Sequence, residues 1–241
     1  LDSNSYYLSG KLSDLGINTY RRQVVGDHRQ RIHDAISSAL EYNDLVVTTG
    51  GLGASDDDIT MQVVSEIAER ELVKDSSVIA AIRKLYPTAD RPDFVIPLVP
   101  VGAKVFPNRN GTAPASFTSF PYKGQTRHIL VLPGPPAENV PLFEEQVMPY
   151  LAQFCPAVFR HRYVRMIGIS EYRMEQALKD LIETQTNPTI APYTSEGEVL
   201  LRITQRLAEG DEDKTQDIID IVVDRLAEYI YEIGPRSLEQ V

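Results

Sequence analysis

The sequence predicts an α/β fold with a doubly wound, mostly parallel sheet, followed by a second, smaller α/β domain of βαββα order. In the first part, short apolar segments typical of buried strands alternate with segments of helical period, which is the pattern of a sheet flanked by helices. The second part changes rhythm to strand, helix, two strands and a long helix. We place the boundary near Cys155-Pro156, so the predicted domains are residues 1–155 and 156–241.

Apolar periodicity places the elements of the first domain in order. The first helix begins at Ser3 or Asn4, either of which can cap it, and Gly16 ends it. The other predicted helices cover 28–40, 58–71, 75–86 and 138–154. The predicted strands and extended segments cover 17–25, 45–49, 95–101, 104–106 and 128–132.

The second domain has its own set of elements. A strand over 158–166, a helix over 170–183, strands over 189–192 and 198–205, and a helix over 213–229 are predicted. Apolar residues line one face of each helix, so this part has a core of its own.

Composition excludes several classes of function. The net charge of −10 argues against nucleic acid as the main partner, because nucleic-acid-binding proteins usually carry a basic surface. A single cysteine, Cys155, excludes an internal disulfide framework and fits a cytoplasmic protein, and four scattered histidines without ligand spacing argue against structural zinc. No stretch reaches 18 consecutive apolar residues, so we expect no membrane partner. The sequence opens without methionine, from which we expect that residues upstream are missing.

The most informative segment is a glycine turn that leads into three carboxylates, Thr48-Thr49-Gly50-Gly51-Leu52-Gly53-Ala54-Ser55-Asp56-Asp57-Asp58-Ile59-Thr60. Its predicted context is a strand, a tight turn and a helix N-terminus, where unpaired amides and the helix dipole attract anions. Three aspartates would repel an anion unless a divalent cation lies between the carboxylates and phosphates, as magnesium does. The segment therefore predicts a site for a nucleotide diphosphate and a metal.

A structural interpretation of the aspartates stays open, since aspartate commonly caps helices. The G-x-G-x-x-G dinucleotide pattern is not met, because Asp56 stands where the third glycine should be, and no G-K-[ST] follows the turn. Asp27 has the same ambiguity. It can cap the next helix, with Gln30 completing a capping box, or it can join the site if the sheet brings it beside Asp58.

Two further turns are predicted where a ligand would bind. The segment from Asn108 to Pro114 is rich in small residues that let backbone approach a ligand. Leu132-Pro133-Gly134-Pro135-Pro136 makes a stiff corner at the end of a predicted strand. Ligands of doubly wound sheets bind beyond the carboxyl ends of strands, so we expect this corner and the Gly50 turn to lie near one ligand.

Together, several of these motifs resemble the competence/damage-inducible CinA family. The motifs are Thr48–Gly53, Asp57-Asp58-Ile59-Thr60, Gly111-Thr112-Ala113-Pro114, Leu132-Pro133-Gly134-Pro135-Pro136-Ala137-Glu138, Asp2-Ser3-Asn4-Ser5 with Tyr7-Leu8, and Gln185–Tyr193. The resemblance covers nearly the whole chain. It implies a MogA/MoaB-like molybdopterin-binding domain followed by a small α/β middle domain of the type called KOW. Many members carry a third, C-terminal deamidase domain, and we expect the sequence to end about where that domain would begin, so deamidation is not assigned to these residues.

The resemblance also implies an activity, that of an ADP-ribose pyrophosphatase acting with a divalent metal such as Mg²⁺. The catalytic candidates are Asp27, Asp57 and Asp58, of which Asp57 and Asp58 would hold the metal. The ligand-binding candidates are Asn4, Thr49, Gly50, Gly51, Gly53, Ser55, Gly111, Thr112, Ala113, Pro114, Pro133, Gly134 and Pro135. The expected partners are ADP-ribose and a second copy of the chain, and neither nucleic acid nor membrane.

Two alternatives to hydrolysis stay open. The first domain can hold a molybdopterin-like or nucleotide ligand without hydrolysing it. Alternatively, the second domain docks a partner while the first is inactive, which two departures from the family pattern support: Ala54 stands where the family usually has proline, and Ala115 where it usually has glycine.

Overall fold

Helices and strands alternate along the first part of the chain, which confirms the α/β class. The computed structural model describes residues 2–87, 96–155, 158–195, 197–208 and 210–239. It divides into two compact units, the first comprising Leu1–Gly10 and Thr19–Ala152, and the second Lys11–Asn18 and Gln153–Val241. The predicted boundary near Cys155 is close to the division at Ala152, but the prediction had placed Lys11–Asn18 in the first domain.

The elements of the first unit follow the predicted order, with two added strands and without the predicted strand over 17–25. The helices are α1 (Ser3–Asp14, whose last residues belong to the second unit), α2 (Arg29–Tyr42), α3 (Thr60–Ile67), α4 (Ser76–Leu85), α5 (Pro136–Leu142) and α6 (Met148–Leu151), with a π-helical turn over Phe143–Val147 and a 3₁₀ turn over Ala152–Phe154. The strands are β1 (Leu45–Thr49), β2 (Leu72–Lys74), β3 (Leu98–Pro100), β4 (Lys104–Phe106), β5 (Ala115–Tyr122) and β6 (Gln125–Leu132). β2 and β5 are the additions. Of the predicted segment 95–101, residue 95 lies outside the described residues.

The main sheet of the first unit is mixed rather than mostly parallel. Its strand order is β1-β6-β5-β4, and only β1 and β6 pair in parallel. β5 runs antiparallel to both neighbours and joins β6 through Lys123 and Gly124, whose φ values are 47° and 80°. Two consecutive positive φ values give the hairpin turn that matches strand twist, so the chain reverses here instead of crossing over.

Residues 17–25 do not form the predicted strand. They pair with no strand among the residues that the structure describes, and the side chains of Tyr20 and Val24 are 81% and 83% exposed. An extended segment is held as a strand by its ladder and by a buried face, and neither is present here.

Helices α2 and α3 pack together on one face of the main sheet. The buried cluster there includes Ile36 and Leu40 of α2, Val63 and Val64 of α3, and Ile129 of β6. α3 is shorter than predicted because the backbone turns out of the helix at Glu69, where φ is +53°, and β2 then pairs with β3. The core thus fixes β1 and β6 side by side beneath the two helices.

The second unit has the order βααββα with a short last strand. Its elements are β7 (Val158–Ile167), α7 (Glu171–Ala177), α8 (Lys179–Thr184), β8 (Thr189–Ser195), β9 (Glu198–Leu207), α9 (Thr215–Leu226) and β10 (Ile230–Glu232). The strands form one antiparallel sheet, β10-β7-β9-β8. The single helix predicted over 170–183 is split at the buried Leu178, and β10 was not predicted.

Residues 11–18 belong to the second unit because they pack on β7. A Cβ atom at Gly16 would lie 2.0 Å from the ring of Phe159, so the backbone rests directly on that ring. The carboxylate of Asp14 lies 3.6 Å from Nε2 of the half-buried His161. None of the described helices has the length and apolar character needed to cross a membrane.

Candidate functional site

The Gly50 turn and the Pro133 corner lie side by side at one edge of the main sheet. β1 and β6 run in parallel with Thr49 opposite Leu132, so the two strands end together. The amide of Gly50 donates a hydrogen bond of 3.0 Å to the carbonyl of Leu132. A Cβ atom at Gly134 would lie only 3.3 Å from Cα of Gly50, so the two turns approach each other through glycine backbone. The predicted neighbourhood of these turns is therefore observed.

The segment Gly111–Pro114 reaches the same edge from the other side of β6. β5 is antiparallel to β6, with Ser116 opposite Val131, so the beginning of β5 lies beside the end of β6. Pro114 and Gly111 are buried, and Thr112 and Ala113 are half-buried. Three of the segments predicted from sequence thus meet at one edge of the sheet.

The glycine turn leaves a run of backbone amides available. Gly50 and Gly51 have φ values of 87° and 68°, which glycine adopts without strain. A Cβ atom at Gly51 would lie 2.1 Å from Oγ1 of Thr60, the first residue of α3, so this turn closes tightly on the helix. Among the residues that the structure describes, the amides of Gly51, Leu52 and Gly53 donate to no protein group. Successive unpaired amides beside a helix N-terminus form a concave site for an anion.

The aspartates after the turn have different surroundings. Asp58 is half-buried, and its Oδ2 accepts a hydrogen bond of 3.2 Å from the amide of Ser55. The same carboxylate lies against Gly53, where a Cβ atom would be 2.4 Å from Oδ2. Asp58 therefore closes its own loop, and it does not cap α3, whose N-cap is Ile59. Asp57 is exposed.

Of the two interpretations of Asp27, the capping one is wrong. The N-cap of α2 is His28, without a side-chain cap, and Nε2 of Gln30 donates to Asp34 instead of completing a box with Asp27. The backbone at His28 is extended and the helix begins at Arg29. The N-cap is therefore one residue later than a capping box between Asp27 and Gln30 requires. The carboxylate of Asp27 is exposed.

The carboxylates near the glycine turn do not form a preformed metal site. In the described parts of the chain, no group of three or more histidine, cysteine, aspartate or glutamate side chains is placed to hold a metal ion. Asp27 therefore does not join Asp57 and Asp58 as a third ligand of a preformed site. Magnesium binds through one or two carboxylates together with substrate phosphates and water, so the Asp57–Asp58 pair fits a metal that arrives with its ligand.

Two asparagine side chains fix the carbonyl groups of the Pro133 corner. Nδ2 of Asn4 donates to the carbonyl of Gly134 at 2.7 Å, so this predicted ligand-binding residue also supports the corner. Nδ2 of the fully buried Asn139 donates to the carbonyl of Pro133 at 2.7 Å. Sequence reasoning missed Asn139, although its place in the first turn of the helix after the corner is the signal that could have found it.

His128 of β6 lies away from this edge of the sheet. His128 is opposite Leu45 at the beginning of β1, whereas the site is at the end of that strand. Burial lowers the pKa of His128, while Asp44 raises it and Arg127 lowers it. The strand register therefore places His128 away from any ligand held at the Gly50 turn.

Comparison with protein families gives two matches along the chain. Residues 1–153 match the family described as a probable molybdopterin binding domain, and residues 161–231 match the damage-inducible protein CinA KH domain. The second match corrects the expectation of a KOW-type middle domain.

Individual relatives give the same result. A CinA-like protein of Dictyoglomus thermophilum is 38% identical over 247 residues, and one of Kosmotoga olearia is 39% identical over 252 residues. Each match covers 100% of this chain and 59% of the relative, so the chain spans less than two thirds of their length. The crystal structure of the protein CinA from Thermoplasma acidophilum, described as of unknown function, matches with 29% identity and a TM-score of 0.54 over 63% of this chain and 88% of that one.

The order of the two matched domains and the similarity over the whole of this chain lead to the same conclusion. The chain belongs to the CinA family, with a molybdopterin-binding-type α/β domain followed by a CinA KH domain.

Proposed function

We propose that the first unit binds a nucleotide diphosphate at the edge formed by the Gly50 turn, the Gly111 segment and the Pro133 corner. We further propose that it hydrolyses ADP-ribose to AMP and ribose 5-phosphate. The observation that carries the proposal is the run of unpaired amides at Gly51, Leu52 and Gly53, which lies just before two carboxylates. Amides suit phosphate oxygens, and carboxylates suit the cation that accompanies a diphosphate.

The site residues divide the proposed reaction among them. The amides of residues 51–53 hold the diphosphate, and Asp57 and Asp58 hold a divalent ion, magnesium or a similar metal. When bound, that ion neutralises charge on phosphoryl oxygens and orients water. Asp27 accepts a proton from the water whose oxygen bonds to phosphorus. The P–O bond of the bridge then breaks, and the leaving phosphate takes the electron pair.

The direct test follows AMP release from ADP-ribose with and without magnesium. Asp58→Ala should reduce turnover by about a hundredfold, because removing a main electrostatic contributor commonly costs that much. Asp56→Ala is the matched control, since it removes an exposed carboxylate two residues away. A loss of less than about tenfold in Asp58→Ala, or an equal loss in the control, contradicts the role of Asp58.

A second candidate function is binding of a molybdopterin or nucleotide ligand without hydrolysis. One observation favours it: residues 1–153 match the family described as a probable molybdopterin binding domain. Calorimetry with ADP-ribose and AMP separates the two candidates. Tight binding without product release supports the binding module, and product release overturns it.

The remaining expectations concern partners and location. We infer that the protein acts as a cytoplasmic homodimer without nucleic acid or membrane partners. KH domains clamp a nucleic-acid backbone with a G-x-x-G loop. The glycines after residue 153 are Gly168, Gly197, Gly210 and Gly234, and no two of them have that spacing. A gel-shift titration with single-stranded RNA should show no complex at micromolar protein, and sedimentation should give twice the chain mass.

A further inference from the structure

The buried side chain of Asn108 holds the segment from Pro107 to Ala113 in place through hydrogen bonds. Asn108 is 3% exposed, and its Nδ2 donates to the carbonyl of Ala113 at 3.0 Å and to Oε2 of Glu138 at 2.7 Å. Its Oδ1 accepts from the amide of Asn110 at 2.8 Å. Both amide hydrogens and the oxygen of Asn108 are therefore used, so the shape of this segment depends on Glu138 remaining in place.

Glu138 lies directly on the segment that lines the ligand edge. A Cβ atom at Gly111 would be 2.1 Å from Oε2 and 2.8 Å from Oε1 of Glu138. Gly111 does not have a positive φ, so its backbone is one that alanine can adopt. Glycine is therefore required at position 111 by the carboxylate and not by the backbone.

Helix α5, which contains Glu138, and the π-helical turn that follows it make further contacts with the segment. Nδ2 of Asn110 donates to the carbonyl of Ala137 at 3.2 Å, and Nε2 of Gln146 donates to the carbonyl of Pro107 at 2.9 Å. These bonds hold the segment at Pro107 and at Asn110, so loss of Glu138 alone should displace Gly111-Thr112-Ala113 without releasing the whole segment.

We propose that Glu138 is a positioning residue for the ligand, acting through Asn108 and Gly111. It holds Gly111-Thr112-Ala113 at the edge where the Gly50 turn and the Pro133 corner end. This assignment rests on the proposed function, because it assumes that a phosphate-bearing nucleotide binds there. The segment lines the edge where the ligand is held, so its displacement should remove contacts with the ligand. Ligand binding should then weaken while the fold persists.

The experiment measures the Kd of ADP-ribose by calorimetry and the melting temperature for four variants and the wild type. Glu138→Ala should raise the Kd by about tenfold or more, as expected when about one hydrogen bond to the ligand is lost. Glu138→Gln keeps an oxygen that accepts from Asn108 and should stay within about threefold of the wild type. Gly111→Ala should weaken binding as Glu138→Ala does, because its Cβ atom displaces the carboxylate. The double variant Gly111→Ala/Glu138→Ala should be no weaker than either single variant.

The outcomes separate this assignment from the proposed function. If the wild type does not bind ADP-ribose, the proposed function fails, and the assignment of Glu138 fails with it. If the wild type binds and Glu138→Ala binds equally well, only the assignment is overturned. A lower melting temperature with an unchanged Kd shows a purely structural role and also overturns it. Equal weakening by Glu138→Gln and Glu138→Ala contradicts the part played by Asn108.

Discussion

Replacing Gly51 by alanine tests whether the glycine turn has the tight geometry on which the site depends. The new Cβ atom would lie 2.1 Å from Oγ1 of Thr60, whereas non-bonded atoms pack at about 3.5 Å or more. Thr60 is 6% exposed and cannot move into solvent. The turn must therefore open at the point where the amide of Thr60 donates to the carbonyl of Gly51 at 3.2 Å.

The size of the effect follows from two contributions. A left-handed backbone conformation costs an alanine about 1–2 kcal/mol. Losing the hydrogen bond from Thr60 to Gly51 costs about 1 kcal/mol more. Gly51→Ala should therefore lower the free energy of unfolding by about 2–3 kcal/mol. Gly102→Ala is the matched control, because Gly102 has a φ of 78° and a Cβ atom there would meet nothing within 4 Å. Its cost should be the backbone contribution alone.

Urea unfolding followed by circular dichroism measures both variants. The account predicts a larger loss for Gly51→Ala than for Gly102→Ala, and a smaller loss when Thr60→Ala is added to Gly51→Ala, because the clashing oxygen is then removed. Equal losses in the two single variants, or no effect of adding Thr60→Ala, would refute the reasoning.

Three further predictions concern other parts of the chain. Asp75 accepts hydrogen bonds from the amides of Ser77 and Val78 at the start of α4, so Asp75→Ala should lower the free energy of unfolding in urea by about 1 kcal/mol. Asparagine caps helices as well as aspartate does, so an equal loss in Asp75→Asn would contradict the capping role. Burial lowers the pKa of His161, while Asp14 raises it and Arg202 lowers it. The unfolded chain then binds more protons than the folded one below about pH 6.5, so the free energy of unfolding should fall as the pH falls through that range, and His161→Gln should reduce the slope. An unchanged slope in His161→Gln would contradict this assignment. Asp180 forms two hydrogen bonds with Arg225 at a solvent-exposed site, so Asp180→Asn should leave the urea midpoint almost unchanged, and a clear loss of stability would contradict that surface assignment.

Local sequence patterns were sufficient for the strand and turn that matter most. The apolar run Leu45–Thr49 followed by two glycines predicted β1 and the turn with their observed bounds. The expected parallel arrangement places the carboxyl ends of β1 and β6 at the same edge of the sheet. Gly50 and Gly134, which follow these two ends, therefore lie in contact. These parts of the site depend on short-range signals and on one topological rule.

Other parts depend on contacts between residues far apart in sequence. β5 was missed because Pro121 and alternating serine and threonine weaken its apolar pattern, although Lys123-Gly124 is a hairpin signal. Nothing near Glu138 in the sequence indicates that its carboxylate will meet Asn108 and Gly111, which come about 30 residues earlier. The capping interpretation of Asp27 is wrong for the opposite reason, because a locally plausible capping box competes with a hydrogen bond from Gln30 to Asp34.

The most direct test of the account is an amide NMR titration of the protein with ADP-ribose in the presence of magnesium. The central claim is that the amides of residues 51–53 hold phosphate at an edge shared with Thr112 and Gly134. The account predicts that the signals of these residues shift together and saturate with one Kd. Shifts confined to the second unit, or signals of Gly51, Leu52 and Gly53 that do not move at saturating ligand, would contradict it.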